Sequence, residues 1–173
     1  MNSTSDTLTQ SIVDSPVNNT SAVEALKACG VAYKLHEYPT ENGPVAAMDV
    51  AAYLGFSTEQ LFKTLVTTDH HGGYYVFCLP AEARIDMKKA ALLVGARKLT
   101  MLDPSIFEEL TGYVHGGCSP FGLKTELPIC VEESAFQQEK IYISGGRIGL
   151  SVEIDPQVLK DKLRVDVGSF TKG

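Results

Sequence analysis

Two stretches of the chain turn back on themselves through glycine-bearing loops, and they constrain the fold more than any other feature. KTLVTT and YYVFCLP flank the turn signal DHHGG, a hairpin pattern over residues 63–79, and IYIS and LSVEI flank GGRIG within residues 141–154. A parallel neighbour needs a crossover of a dozen residues or more, so turns this short predict antiparallel pairs. Helical patterns alternate with these runs. SAVEALKAC opens like a capping box at Ser21 and stops at Gly30, VAAMDVAAYL stops at Gly55, and Asp86 caps a helix that ends at Gly95. Asp103-Pro104 and Asp155-Pro156 each have the form of an N-cap followed by proline at the first helical position. VAYKLHEY, KLTML and LPICVEES supply further short strands, the first closed by a loop through Pro39, Gly43 and Pro44. The prediction is one α/β domain with a mixed, largely antiparallel sheet surrounded by helices.

Two segments stand outside this alternation. Residues 1–19 are rich in Ser, Thr, Asn and Asp and poor in aliphatics, too few to offset chain entropy, and read as a disordered extension ahead of a domain over 20–173. TGYVHGGCSPFGLK places four glycines and a proline in fourteen residues, too many breakers for the interior of a helix or strand.

Charge and cysteine usage narrow the function classes. The chain has 21 acidic against 15 basic residues, a formal net charge of −6. It therefore cannot hold nucleic acid by charge alone, and a polynucleotide substrate would be gripped locally or delivered by a partner. Cys29, Cys78, Cys118 and Cys130 form no CxxC pair, no apolar run reaches the roughly 18–20 residues of a membrane span, and no signal-peptide pattern opens the chain. A reduced, cytoplasmic setting is expected.

Motifs that carry a known chemistry are largely missing from the sequence. GxSxG, GxxxxGK[ST] and an early GxGxxG are missing, and His36, His70, His71 and His115 have no zinc spacing to cysteines or carboxylates, so neither a cofactor nor a metal is expected. His115 and Cys118 lie three apart and could make an activated thiol, although a small buried Cys and a solvent-facing His explain the same residues. Lys63 sits on an apolar strand between Phe62 and Thr64-Leu65-Val66. Either its ammonium has a purpose there or alternation points it to water. The glycine clusters GGCSP and SGGRIG could bring backbone N–H groups close to a carbonyl oxygen or phosphate, and tight turns use the same residues.

In order and spacing, FKTLV, TGYVHGGCSPFGLK, ISGGRIGL and SVEIDPQVL resemble the YbaK/EbsC family of aminoacyl-tRNA deacylases, over about residues 20–170. The chain looks most like the YbaK branch, which clears Cys-tRNA(Pro). The resemblance implies a sheet curved toward a barrel, as in the editing insertion of bacterial prolyl-tRNA synthetases. It also implies that the substrate is the acceptor end of an aminoacyl-tRNA and that prolyl-tRNA synthetase is the partner. It assigns catalysis to Lys63, Gly116 and Gly117 and substrate binding to Tyr38, Thr64, Ser119, Ser144, Gly145, Gly146 and Arg147. It implies further that the cysteinyl thiol attacks its own ester, with the Gly116-Gly117 amides stabilising the oxyanion and Lys63 orienting the substrate; attack by water is the variant. The sequence departs from the family pattern at Ile148, where a second basic residue is usual, at Cys118 and His115, where aliphatic residues are common, and in PTENG after the first strand. These departures bear on which amino acid is cleared, so Ala- and Ser-tRNA stay open as substrates. A non-catalytic module that binds an aminoacyl or nucleotide ligand is the alternative from another class.

Overall fold

The turn signal DHHGG forms the tip of the central hairpin in the computed structural model, which describes residues 12–41 and 45–173. The Asp69 carboxylate accepts hydrogen bonds from the amides of His71 and Gly73, both at 2.8 Å, and this closes the turn between β2 (Phe62–Thr68) and β3 (Tyr74–Pro80). The two strands are antiparallel with Lys63 opposite Leu79 and Thr64 opposite Cys78. β4 (Thr100–Met101) pairs antiparallel with the far end of β2, while β5 (Ile129–Glu132) and β8 (Asp166–Gly168) add in parallel, giving the order β4-β2-β3-β5-β8. The second predicted hairpin, β6 (Ile141–Ser144) and β7 (Leu150–Ile154), pairs with β1 (Lys34–Glu37) in a separate antiparallel sheet ordered β1-β7-β6. One isolated parallel bridge, Leu61 to Tyr142, joins the two sheets.

Helices surround them: α1 (Ser21–Cys29), α2 (Ala47–Leu54), α3 (Met87–Val94), α4 (Pro104–Thr111) and α5 (Gln157–Leu163). Left-handed glycines end the first four, at Gly30, Gly55, Gly95 and Gly112. The larger sheet is buried on both faces, which is why β3 and β5 read as unbroken apolar runs. Val66, Val76, Cys78 and Val131 meet the smaller sheet through Ile143, Leu150 and Val152, while Phe77, Leu79 and Cys130 pack with Ala90, Leu99 and Phe170 on the other side. No helix among the described residues is long and apolar enough to cross a membrane.

Several boundaries differ from the sequence-based expectation. Thr20, rather than Ser21, caps α1, its hydroxyl accepting from the Val23 amide at 3.2 Å. The first strand is shorter than VAYKLHEY, and α5 starts one residue after Pro156, with Asp155 Oδ1 still accepting the Gln157 amide at 2.9 Å. β8 was missed because DVG has neither alternation nor length; its tail is held where Glu132 Oε2 accepts the buried Phe170 amide at 2.8 Å. Of the extension expected over 1–19, residues 1–11 lie outside the described residues, as do Gly43 and Pro44 of the loop after β1. Residues 12–19 depart from the expectation. They form a helical turn at 12–14 and a 3₁₀ turn at Pro16–Asn18, and Asn18 is fully buried.

On the smaller sheet, His36 belongs to a polar cluster centred on Glu153. Glu153, opposite both Lys34 and Tyr142, accepts from His36 Nε2 at 3.1 Å, Tyr142 Oη at 3.0 Å and Lys140 Nζ at 3.0 Å. Burial pushes the carboxyl pKa up, but the hydrogen bonds from Lys140, Tyr142 and His36 outweigh it and leave the pKa below the usual value. A lowered folded-state pKa gives stability that is present above the ordinary carboxylate pKa and lost as pH falls through the folded value. Glu153→Gln is expected to cost about 1–3 kcal/mol at pH 7. Most of that difference should vanish once the wild-type carboxyl is protonated, as read from urea midpoints across the acid range.

Candidate active site

A cavity opens where the two sheets part. Beyond the Leu61–Tyr142 bridge, β2 runs on toward β4 while β6 stops at Ser144, and the gap between them is a cavity of about 310 Å³. Val45, Ala47 and Val50 of the α2 region, Phe107 of α4, and His115, Gly116 and Cys118 of the glycine-rich loop complete its walls. This volume lies at the small end of ligand pockets.

Strand geometry turns one edge of β2 into this cavity. The Ala81 amide donates to the Leu61 carbonyl and the Asp69 amide to Gly73, so odd-numbered residues of β2 direct their backbone groups toward β3. Even-numbered residues therefore face the opposite edge, where the Leu102 amide satisfies the Val66 carbonyl. A continued β4 would bring residue 104 beside Thr64, but Asp103 caps α4 there and turns the chain away. The amide and carbonyl of Thr64 are thus presented to the cavity, while its hydroxyl lies 3.8 Å from the Cys78 sulfur.

Lys63 lies on the sheet face shared with Leu65 and Leu79, and its Nζ donates to the Ala83 carbonyl at 2.6 Å. Burial lowers its pKa from the ordinary lysine value. Among the described residues it is the one residue along the cavity wall with a formal charge, and its ammonium meets the Ala83 carbonyl rather than water alone. Tyr38 is positioned by its amide, which donates to the Gly149 carbonyl at 3.0 Å. Ser144 accepts the Gly146 amide at its Oγ at 3.1 Å, leaving its hydroxyl proton to donate elsewhere.

The four glycines expected at the site separate into two roles. Gly145 donates its amide to the Leu150 carbonyl, Gly146 to Ser144 Oγ, and Gly117 to the Val114 carbonyl, so these three N–H groups are spent in shaping turns. Gly116 lines the cavity with a φ of 91°, and no hydrogen bond to its amide is found among the described residues. It is the remaining amide of the four that can meet a developing oxyanion. Gly117, Ser119, Gly145, Gly146 and Arg147 do not line the cavity but stand behind it. The fully buried Ser119 accepts the Phe121 amide at 3.1 Å, and the Arg147 guanidinium bonds Asn18, Glu37 and the Ile148 carbonyl. Ser151, also at the cavity, was not singled out from sequence, although the register that places it opposite Ser144 could have found it.

Cys118 borders the cavity but is buried, and burial together with the Cys78 thiol raises its pKa to about 12. A thiol so rarely ionised at neutral pH is a poor nucleophile. His115 is exposed, its ring edge-on to Phe107 at 5.4 Å. Cys118→Ala is therefore expected to keep kcat within about threefold of wild type and to cost about 1 kcal/mol of stability through lost packing. Steady-state kinetics and thermal melts read the two effects separately.

With this geometry in view, comparison with known proteins decides the family. The aminoacyl-tRNA editing domain model matches residues 43–162, well over half of the chain. The chain belongs to that family, the YbaK/EbsC aminoacyl-tRNA deacylases. EbsC of Enterococcus faecalis, provisionally named a Cys-tRNA(Pro)/Cys-tRNA(Cys) deacylase, is 35% identical over 140 residues, covering 81% of this chain and 85% of that protein. YwhH of Bacillus subtilis, an uncharacterised protein, is 26% identical over 135 residues, covering 76% and 84%. A crystal structure described provisionally as a trans-editing enzyme for prolyl-tRNA synthetase superposes with a TM-score of 0.82 at 28% identity, over 92% of this chain and 99% of that one. The motif-based family assignment and the single α/β domain with mixed sheets are thereby established.

Proposed function

We propose that this chain is a trans-editing enzyme that clears cysteine from mischarged Cys-tRNA(Pro), acting in the cytoplasm beside prolyl-tRNA synthetase. The observation that carries this reading is the makeup of the cavity: one cation at Lys63, one open backbone amide at Gly116, and no ionised side-chain nucleophile among the described residues. Such a site suits a substrate that brings its own nucleophile. It need only hold thiol and carbonyl in attack geometry and stabilise the charge that develops.

The cysteinyl sulfur attacks its own ester carbonyl, forming a C–S bond. The carbonyl oxygen becomes anionic and is met by the Gly116 amide. The C–O bond to the terminal ribose then breaks, the oxyanion collapses to a carbonyl, and the proton lost from the thiol ends on the departing ribose hydroxyl. The products are a four-membered thiolactone and free tRNA. Lys63 orients the ester or the terminal nucleotide by charge and hydrogen bonding, and Tyr38, the Thr64 backbone and Ser144 hold the rest of the aminoacyl end. The small cavity favours a small amino acid, and the net charge of −6 favours delivery of tRNA by the synthetase over capture of free tRNA.

The discriminating experiment compares Cys-tRNA(Pro) with S-methylcysteinyl-tRNA(Pro). The expected result is deacylation of the first and no acceleration of the second above its spontaneous rate. Equal acceleration of both would replace the thiol route by attack of water, and acceleration of neither would remove the cysteine reading.

A further inference from the structure

We propose that Asn18 is a positioning residue for the deacylation, setting the Gly116 amide through the turn at residues 144–149. This inference rests on the reading of the cavity as a deacylase site. Asn18 lies ahead of the region matched by the family model, has no place in the cavity wall, and yet is fully buried with both ends of its amide engaged. Its Oδ1 accepts from Arg147 Nε at 3.0 Å and Nη2 at 2.6 Å, and its Nδ2 donates to the Ile12 carbonyl at 2.9 Å. Arg147 Nη1 reaches the Ile148 carbonyl at 2.9 Å, so the guanidinium ties Asn18 to the turn's own backbone.

Thr20 makes a second tie from the same segment. Its hydroxyl donates to the Gly145 carbonyl, and a Cβ on Gly146 would stand 2.7 Å from the Thr20 side chain. The turn therefore closes against residues 18–20 with no room for a side chain between them. On its other side it supports the catalytic loop. A Cβ on Gly117 would lie 3.1 Å from the Arg147 Cα and 3.2 Å from the Ile148 nitrogen, and one on Gly116 would lie 3.6 Å from the Ile148 side chain. The path runs from Asn18 to the Arg147–Ile148 peptide, then to Gly116-Gly117 and the cavity, each step a hydrogen bond or a close backbone approach. An oxyanion donor acts only over a narrow range of positions, so a support that fixes it affects turnover more than binding.

The test uses the full chain with Asn18→Leu, which keeps the branched shape and removes the amide, and Asn18→Asp, which keeps the acceptor for Arg147. Asn18→Leu is expected to lower kcat about 10- to 100-fold, with KM for Cys-tRNA(Pro) changed less than about threefold. Asn18→Asp should recover most of the loss. Hydrogen exchange in Asn18→Leu should quicken at residues 116–118 and 145–150 while β2 and β3 stay protected. That readout does not depend on the substrate, so it separates failure of the positioning role from failure of the deacylase reading. Unchanged exchange in both loops, or a kcat lost equally in Asn18→Leu and Asn18→Asp, would overturn the proposal.

Discussion

Gly116→Ala is expected to reduce kcat about 10- to 100-fold while leaving the fold in place. A Cβ at this position meets nothing closer than the Ile148 side chain at 3.6 Å, so steric overlap is not the cause. The cause is backbone conformation: at a φ of 91° an L-residue is strained, and relief of the strain rotates the peptide that carries the proposed oxyanion donor. Complete loss of one oxyanion donor costs about 10²–10³ in kcat, and a misdirected donor should cost somewhat less. Gly95→Ala provides the control, because it places the same kind of strain, at a φ of 73° with open space around it, at the end of α3. It should lower the melting temperature similarly and leave kcat unchanged.

Lys63→Met is expected to lower kcat/KM about 10- to 100-fold. Methionine keeps the apolar stem beside Leu65 and Leu79 but removes the charge, and one charge-assisted hydrogen bond corresponds to about 1.5–3 kcal/mol. Burial lowers the Lys63 pKa, so the cation is lost at a lower pH than on an exposed lysine. After subtraction of spontaneous hydrolysis, the wild-type profile of kcat/KM should rise as the substrate thiol ionises. It should then fall on an alkaline limb below the ordinary lysine value of 10.5. That falling limb should be absent in Lys63→Met, whereas an unchanged profile would show that the ammonium takes no part.

Much of the architecture was legible because the signals were local. Asp69 and Gly73 carry their own turn, Asp86 and Asp103 cap the helices they precede, and the glycines at 30, 55, 95 and 112 stop helices by adopting positive φ. What sequence could not carry was the outcome of long-range contacts. β8 exists because β5 offers it an edge, and residues 12–19 are placed because Asn18 meets Arg147, 129 positions away. The site was half legible for the same reason. Tyr38, Lys63, Thr64, Gly116 and Ser144, named from the motifs, line one cavity, but a string of glycines does not say which amide is spent in a turn. Only the bonds from Gly117 to Val114, from Gly145 to Leu150 and from Gly146 to Ser144 Oγ leave Gly116 as the available donor. Arg147 has the chemistry of a tRNA contact, yet its guanidinium holds the chain's own N-terminal segment.

An apolar, single-cation cavity supported by rigid turns suits cleavage of a small aminoacyl ester. The most direct test is a time course of Cys-tRNA(Pro), Ala-tRNA(Pro) and Ser-tRNA(Pro) with the purified chain against a no-enzyme control. Cys-tRNA(Pro) should be deacylated far above its spontaneous rate and the other two much more slowly. Decay of all three at the spontaneous rate would contradict cleavage of the aminoacyl ester.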